Sequence, residues 1–267
     1  MPGWEYIEAV ILGIVQGIAE FLPISSSGHL VIVGALIHEW TGRTVDPDAN
    51  LRMNLALHVG TLFSILWVYR HELLSLVNRP GVCVAIVVAT LPLVVIGLTP
   101  AIDWLDEIFN TPLLAGCGLL VTAVLLTAGQ RLERQTGTID LLRPAGALGI
   151  GLFQAVAILP GISRSGSTIA GGLIVGLRRE SAATFSFLIA IPAICGAAVL
   201  LAKDILAESR GDQAVSVLLL GAIVSFGVGL LALRWLIRLL SQGKLHWFAC
   251  YCAVVGVATI VWQLTSN

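Results

Sequence analysis

The sequence predicts an all-α polytopic membrane protein, an inverted repeat with two re-entrant helix hairpins and about six transmembrane helices. Three observations predict it. Of the 267 residues, 57% are apolar and only 12% are charged, about half the charged share of a soluble domain. Six apolar runs are long enough to cross a bilayer. Two further apolar segments are interrupted by similar polar stretches, which indicates an internal duplication.

The six runs reach the roughly 20 residues that a transmembrane helix needs. Two other segments, 5–39 and 142–177, are interrupted at Pro23–Gly28 and Pro160–Gly166. The apolar pieces beside each break are marginal for a crossing, which favours a hairpin that enters and leaves on one face. The predicted spans are residues 51–70, 80–102, 108–130, 181–202, 213–233 and 245–265.

The two breaks align when the chain is shifted by 138 residues. Each half of the single membrane domain 1–267, about 1–135 and 139–267, then holds one hairpin and three spans. Because three is odd, the second half is predicted to lie inverted in the membrane, and the two hairpin tips can meet near the midplane. Seven of 18 aligned pairs are identical: Gly13/Gly151, Gln16/Gln154, Ala19/Ala157, Ile24/Ile162, Ser25/Ser163, Ser27/Ser165 and Gly28/Gly166.

Lysine and arginine in the loops predict the orientation, because cytoplasmic loops carry an excess of them. One side of the predicted topology holds ten of these residues and the other holds four, with Arg164 set aside in the second break. The ten-residue side is therefore predicted to be cytoplasmic, which places both termini outside. The net charge of −1 gives no reason to expect a nucleic-acid partner.

Each break can form an anion-binding turn. Unwound backbone at membrane depth must lie inside protein or line water, and a Ser/Gly-rich turn that opens a helix leaves N–H groups free to bind an anion. Arg164 adds a full positive charge with a planar fork that suits phosphate oxygens. The predicted substrate-binding residues are Gln16, Ser25, Ser27, Gly28, Ser163, Ser165, Gly166 and Thr168.

The positive charge at the breaks can be compared with the negative charge of a diphosphate. Two helix starts, at about half a positive charge each, and Arg164 sum to about +2, whereas a diphosphate carries about −3. A divalent cation can supply the balance, and we expect Mg²⁺ or another such cation, for example Ca²⁺. Glu20 is the predicted metal ligand, because Mg²⁺ typically uses one or two carboxylates together with substrate phosphates.

Glu20 needs a function, because an acid at bilayer depth costs about 3 kcal/mol on insertion scales. His29 follows it by nine residues across the turn, so the two side chains can converge. A carboxylate, an imidazole and hydroxyls beside an anion site predict hydrolysis. Simpler interpretations stay open: Glu20 can serve only as an ion-pair partner of Arg164, and His29 and the serines only as helix caps. For His58 we expect packing between helices.

A carrier is the rival interpretation. Inverted repeats with meeting re-entrant tips also build transporters, and a flippase for a lipid phosphate or another anion would use the same anion site. The Glu20–His29 pair favours hydrolysis, since a carrier needs a charged clamp but no proton shuttle.

Three stretches carry a resemblance to a known family: "QGIAEFLPISSSGHL", "QAVAILPGISRSGSTIAGGLIVGLRRESAATFSFLIAIPAI" and "ALHVGTLFSILWVYRHELL". Together they resemble the undecaprenyl-diphosphate phosphatase family, also called bacitracin-resistance proteins, over nearly the whole chain. The pairing of a "PGxSRSGxT" string with "EFLPxSSxGH" is specific to that family.

The resemblance implies an integral-membrane hydrolase of the bacterial plasma membrane that removes one phosphate from a C55 polyprenyl diphosphate. Its implied partners are this lipid and the surrounding membrane lipids, and a homodimer is left open. The implied catalytic residues are Glu20, Ser26, His29 and Arg164, with either Ser26 or His29 as nucleophile. Gln16 stands where many relatives have Glu, which removes one carboxylate from the implied metal site.

Overall fold

A computed structural model describes residues 3–42, 47–99, 111–208 and 214–265. Within these ranges the chain forms eleven α-helices and two short 3₁₀ turns, and its only extended pairing is an isolated bridge between Gly137 and Leu177. The helices are α1 (Trp4–Ala19), α2 (Ser26–Thr41), α3 (Pro47–Val68), α4 (Arg70–Ser75), α5 (Pro80–Gly97), α6 (Pro112–Leu132), α7 (Pro144–Val156), α8 (Arg164–Ile174), α9 (Arg179–Glu208), α10 (Val215–Ser241) and α11 (Leu245–Thr265).

Six of these helices are long and apolar enough to cross a membrane, which confirms the predicted number of spans. Their ends differ from the apolar runs by a few residues. Helices α5 and α6 begin at Pro80 and Pro112, whose fixed backbone angle suits the first helical position. The candidate spans are Ala49–Val68, Pro80–Gly97, Pro112–Leu132, Arg179–Val199, Val215–Ser241 and Leu245–Thr265.

The two interrupted segments fold as helical hairpins. In the first, the start of α1 meets the end of α2, where the Trp4 and Trp40 rings lie 6.2 Å apart. In the second, a β-carbon on Gly146 near the start of α7 would lie 3.9 Å from Val175, which follows α8. The four hairpin helices have 11 to 16 residues, about 17–24 Å against a hydrocarbon core of about 30 Å. This geometry is compatible with re-entrant hairpins, whose depth in the membrane stays a prediction.

The hairpins open toward opposite ends of α10. Near the opening of the first hairpin, Tyr6 shares a 2.9 Å hydrogen bond with Ser216 at the start of α10. Near the opening of the second, Arg179 packs against Gly243, just after the end of α10. Entry from opposite ends is what an inverted repeat requires, so the prediction of inversion is compatible with the fold.

Helices from the two halves pack in matching pairs: α1 lies against α10 and α7 against α5, while α3 contacts α9 and α6 contacts α11. Small residues allow these close approaches. A β-carbon on Gly13 of α1 would lie 3.0 Å from the Gly221 carbonyl oxygen, and one on Gly151 of α7 would lie 2.5 Å from the Ala89 carbonyl oxygen. The first helix of each hairpin is therefore held by the opposite half of the chain.

Ion pairs join the loops at one end of the molecule. Arg79 pairs with Glu72 and donates a 2.7 Å hydrogen bond to Asp140, and Arg179 pairs with Glu133. The hydrogen bond to Asp140, together with the pairing to Glu72, raises the pKa of the Arg79 guanidinium above its usual value. These contacts place several loops of the predicted cytoplasmic side at the same end of the helix bundle.

Candidate active site

The first break lies between α1 and α2 and carries the acid. Glu20 follows the last turn of α1 as its C-cap, and its amide donates to the Gln16 carbonyl oxygen. Ser25 caps α2: its hydroxyl accepts a 3.3 Å hydrogen bond from the Gly28 amide. The backbone of Ser25 has a φ of 72°, a value that residues with a side chain rarely adopt. This turn brings the end of α1 and the start of α2 together.

The second break lies between α7 and α8 and carries the arginine. Ser163 caps α8 by accepting a 3.0 Å hydrogen bond from the Gly166 amide. Thr122 of α6 braces the turn, because its hydroxyl donates to the Gly161 carbonyl oxygen at 2.8 Å and accepts from the Ser163 amide at 2.9 Å. The next residue, Arg164, is thereby presented from a fixed helix start.

The two breaks touch, as predicted. The Ser165 hydroxyl of the second break donates to the Leu22 carbonyl oxygen of the first at 3.2 Å. A β-carbon on Gly28 would lie 2.9 Å from the Gly161 α-carbon. Main chain therefore packs on main chain where the two hairpin tips meet.

Glu20 is the centre of the shared pocket and is only 7% exposed. Its Oε1 accepts a 2.5 Å hydrogen bond from Arg164 Nη2. Its Oε2 accepts hydrogen bonds from the Ser26 hydroxyl at 2.6 Å and from Gln16 Nε2 at 3.0 Å. His58 Nε2 lies 3.9 Å from the same Oε2. A buried carboxylate is tolerated here because a guanidinium and two neutral donors surround it.

Ser26 and Arg164 occupy aligned positions in the two breaks, and each donates to one oxygen of the same carboxylate. The pocket also keeps unused polar atoms. Among the described residues, Gln16 Oε1 and Arg164 Nη1 are buried and have no hydrogen-bond partner. Buried polar atoms without partners are uncommon in proteins. The free acceptor and donor are therefore available to a ligand.

His29 is directed away from Glu20. Its Nδ1 bonds the Ser25 carbonyl oxygen at 2.8 Å, and its Nε2 bonds the Tyr251 hydroxyl at 2.8 Å. Because a carbonyl oxygen only accepts, Nδ1 carries the proton, and neutral Nε2 accepts from the phenol. The expected convergence of His29 on Glu20 is thus not found among the polar contacts of the described residues, and His58 is the imidazole that faces this carboxylate.

The remaining substrate-binding candidates surround the same junction. Ser27 is exposed and shares a 3.3 Å contact with the Ser25 hydroxyl, and Ser163 and Ser165 make the equivalent pair at 3.2 Å. The Thr168 hydroxyl instead contacts Arg164 O at 2.7 Å and the Ser186 hydroxyl at 2.5 Å. Thr168 therefore supports the helix that carries Arg164, and the binding roles of the whole set stay predictions.

The sequence matches the family described as Bacitracin resistance protein BacA over residues 9–258. The chain belongs to this family. It is 50% identical over 262 residues to an undecaprenyl-diphosphatase of Rhodopirellula baltica, covering 97% of this chain and 99% of that one. Proteins of the same name from Bacteroides fragilis and Alkaliphilus metalliredigens are 41% and 39% identical, and each alignment covers 96% of this chain and 98% of the relative.

In this BacA-family chain, His58 and Tyr251 are site residues that sequence reasoning missed. His58 donates from Nδ1 to the Asn54 carbonyl oxygen at 2.8 Å, which leaves Nε2 toward Glu20. Tyr251 belongs to α11 in the other half of the chain and stacks on His29 with centroids 5.6 Å apart. One signal could have drawn attention to both: each is a polar ring inside an apolar span.

A divalent cation can be accommodated only with help from the substrate. Among the described residues no three His, Cys, Asp or Glu side chains form a metal-binding group. Glu20 and the unpaired Gln16 Oε1 offer oxygen ligands, and both carboxylate oxygens already accept hydrogen bonds. Such a donor set suits an ion that takes most of its ligands from phosphate and water.

Proposed function

We propose that the chain is an undecaprenyl-diphosphatase, which hydrolyses undecaprenyl diphosphate to undecaprenyl phosphate and phosphate. The monophosphate carrier is thereby returned to peptidoglycan synthesis, and removal of the diphosphate confers bacitracin resistance. Family membership and the names of the relatives support this function. The observation that carries it is the contact of one buried carboxylate with both Ser26 and Arg164, at the junction of two helix starts.

The phosphates bind at the junction of the two breaks, and the prenyl tail stays in the lipid. Arg164 offers a second, unused donor at Nη1. The backbone N–H groups at the starts of α2 and α8 add partial positive charge on either side. The guanidinium moves part of its bonding from Glu20 to the phosphate oxygens, which it suits by shape and charge.

The Ser26 hydroxyl is the nucleophile in the proposed reaction. Its oxygen forms a bond to the terminal phosphorus while its proton moves to Glu20 Oε2, the acceptor at 2.6 Å. The bond from phosphorus to the bridging oxygen breaks, and that oxygen leaves on undecaprenyl phosphate. Water then attacks the phosphoserine, with His29 as the base for the water proton. The bond from phosphorus to the serine oxygen breaks, Glu20 returns its proton to that oxygen, and the imidazolium loses its proton to the departing phosphate. The alternative keeps His29 as the direct nucleophile.

A divalent cation, Mg²⁺ or Ca²⁺, accompanies the diphosphate in this proposal. Glu20 and Gln16 would hold it, and it would offset phosphate charge that Arg164 and the helix starts leave uncompensated. The effect of chelation tests this part: EDTA should abolish phosphate release, and added Mg²⁺ or Ca²⁺ should restore it. Undiminished turnover in EDTA would remove the cation from the scheme without affecting the serine route.

The proposal includes a location in the bacterial plasma membrane, with both termini outside. The support is the ten-to-four distribution of lysine and arginine, together with the ion pairs that join loops of the ten-residue side. Cysteine-labelling from either side of sealed vesicles tests the orientation. Labelling of a Ser75→Cys variant from outside would show that the orientation is the opposite of the proposed one.

Purified protein in detergent should release phosphate from undecaprenyl diphosphate, and the Glu20→Ala and Arg164→Ala proteins should not. Full activity in either variant, when correctly folded, ends the proposed chemistry. The same protein in vesicles distinguishes the transport alternative: transfer of labelled lipid phosphate between leaflets without phosphate release would identify a carrier. Hydrolysis is favoured because Ser26 already donates to a carboxylate, an arrangement that a carrier does not require.

A further inference from the structure

We infer that Tyr251 is a phosphate-binding residue whose hydroxyl is exchanged between His29 and the substrate. In this structure the phenol hydroxyl is hydrogen-bonded to Nε2 of His29; with the diphosphate bound, it donates to a phosphate oxygen instead and leaves the imidazole free. The inference rests on the proposed function, since it names a further ligand of the same substrate.

The contact between the two rings is well defined. The hydroxyl of Tyr251 lies 2.8 Å from His29 Nε2, and the planes are 11° apart, so the rings stack as well as hydrogen bond. Nδ1 of His29 is committed to the Ser25 carbonyl oxygen at 2.8 Å. Nε2 is therefore the only ring nitrogen with a lone pair, and the phenol covers it. The hydrogen bond from the phenol therefore competes with proton transfer to His29 Nε2.

Tyr251 lies beside the reacting groups. His29 follows Ser26 by three positions on α2, which places the two side chains on one face of the helix. Cys252, the neighbour of Tyr251, contacts the Pro23 carbonyl oxygen at 3.6 Å, so α11 packs directly on the first break. A phosphate bound at Ser26 therefore lies close to the Tyr251 hydroxyl.

The exposure of Tyr251 suits contact with an arriving headgroup. Its side chain is 43% exposed on α11, whereas Glu20 is only 7% exposed. A tyrosine combines an apolar ring with a polar hydroxyl and is suited to a boundary between lipid and a polar site. A lipid that enters sideways with its tail in the bilayer would pass this boundary before its phosphates reach Glu20.

The exchange follows from the relative strength of the acceptors. A phosphate oxygen carries negative charge, and hydrogen bonds to charged acceptors are roughly twice as strong as neutral ones. The phenol therefore gains by leaving a neutral imidazole nitrogen for phosphate. The phenol leaves Nε2 as the phosphate binds, so the lone pair of the base becomes available together with the substrate.

The test compares Tyr251→Phe and Tyr251→Leu with the unaltered protein in steady-state hydrolysis of undecaprenyl diphosphate. Phenylalanine keeps the stack and removes the donor, so KM should rise about fivefold to tenfold, with kcat within about twofold. The rise reflects the difference between a hydrogen bond to a charged phosphate and the neutral one to His29 that it replaces. Leucine also removes the stack that orients His29, so kcat should fall as well. Inhibition by inorganic phosphate should weaken in Tyr251→Phe by a factor similar to the rise in KM.

Tyr6→Phe is the matched control, because Tyr6 also loses one hydroxyl with one hydrogen bond, to Ser216 at a hairpin opening. It should change neither constant. An unchanged KM and phosphate inhibition in Tyr251→Phe overturns the inference, and so does a fall in kcat alone. The phosphate-inhibition result on Tyr251→Phe decides the question even if the leucine variant fails to fold. Absence of phosphate release by the unaltered protein overturns the proposed function and the inference with it.

Discussion

The two breaks contain the same cap and are held in different ways. In each, a serine hydroxyl accepts from the glycine amide three residues later. Ser163 has an ordinary φ of −68°, and Thr122 braces its turn with two hydrogen bonds below 3 Å. Ser25 has a φ of 72°, and among the described residues its turn contacts α11 through a 3.6 Å hydrogen bond from the Cys252 thiol to the Pro23 carbonyl oxygen.

This difference indicates that the two breaks, although similar in sequence, have different roles. The second break is a buried, braced support that presents Arg164. The first break is partly exposed and stores backbone strain beside Glu20, Ser26 and His29. Backbone strain of this kind costs about 1–3 kcal/mol and is concentrated at functional sites. A duplicated loop can thus keep its cap while one copy becomes the support and the other the reactive loop.

The largest expected effect concerns the pair that joins the breaks. Arg164→Lys and Glu20→Gln should each lower kcat/KM for phosphate release by more than about a thousandfold, since both binding and chemistry are lost. A lysine lacks the planar fork that bonds a carboxylate and a phosphate together, and a neutral amide cannot take the Ser26 proton. Arg178→Lys, an exposed arginine outside the pocket, is the control. Near-normal turnover in Arg164→Lys would show that shape recognition by the second break is unimportant.

The next effect distinguishes a nucleophilic role of Ser26 from a role as a helix cap. Ser26→Ala should lower kcat at least about a thousandfold, as expected on removal of a nucleophile, while the protein keeps its thermal unfolding midpoint. Ser241→Ala, which removes an exposed hydroxyl at the end of α10, should leave kcat unchanged. Trapping of a phosphoserine with radiolabelled substrate provides a direct measurement. Turnover equal to that of the unaltered protein would shift the nucleophilic role to His29.

A stability measurement tests whether the second break is held more firmly than the first. Thr122→Val keeps the side-chain shape and leaves the buried Ser163 amide and Gly161 carbonyl without the Thr122 hydroxyl. The free energy of unfolding should therefore fall by about 2–3 kcal/mol. Cys252→Ala removes only a long thiol contact and a small volume at the first break, and should cost about 1 kcal/mol. Unfolding by SDS titration in mixed micelles gives both values. Equal losses would mean that the two breaks are held equally well.

The smallest expected effect is a change in the free energy of unfolding that has opposite signs in the two breaks. Ser25→Gly relieves the unfavourable φ, at a cost of a few tenths of a kcal/mol for the cap, so the protein should be stabilised by up to about 1 kcal/mol. Ser163→Gly has no strain to relieve and should destabilise by a few tenths of a kcal/mol. The same titration measures both, and destabilisation by Ser25→Gly would show that the first break is unstrained.

The contact between the breaks was predictable from sequence because its signals are local. Polar residues that interrupt apolar runs stand out, and the aligned pair of interruptions predicted that Glu20 and Arg164 belong to one pocket. The six spans were predictable for the same reason, since length and composition decide them. The exact helix ends were less so, because proline starts and caps, rather than hydropathy, set them.

The groups around the pocket were not predictable. Thr122, His58 and Tyr251 are single polar residues within apolar helices, where they look like packing residues, and each reaches the site through long-range contact. The direction of His29 depends on a rotamer and a tautomer chosen by Ser25 and Tyr251. Spacing along the chain contains no information about that choice, so the direction of the His29 side chain was not predictable from sequence.

The Glu20–Arg164 pair also bears on ancestry. A chain descended from two identical copies would once have had two equal sites, each combining an acid from one copy with a donor from the other. In the alignment of the breaks, Ile158 stands opposite Glu20 and Ser26 opposite Arg164. Only one of the two aligned positions now holds an acid, and the site built on it takes its guanidinium from the other copy, so each copy contributes a group that the other lacks.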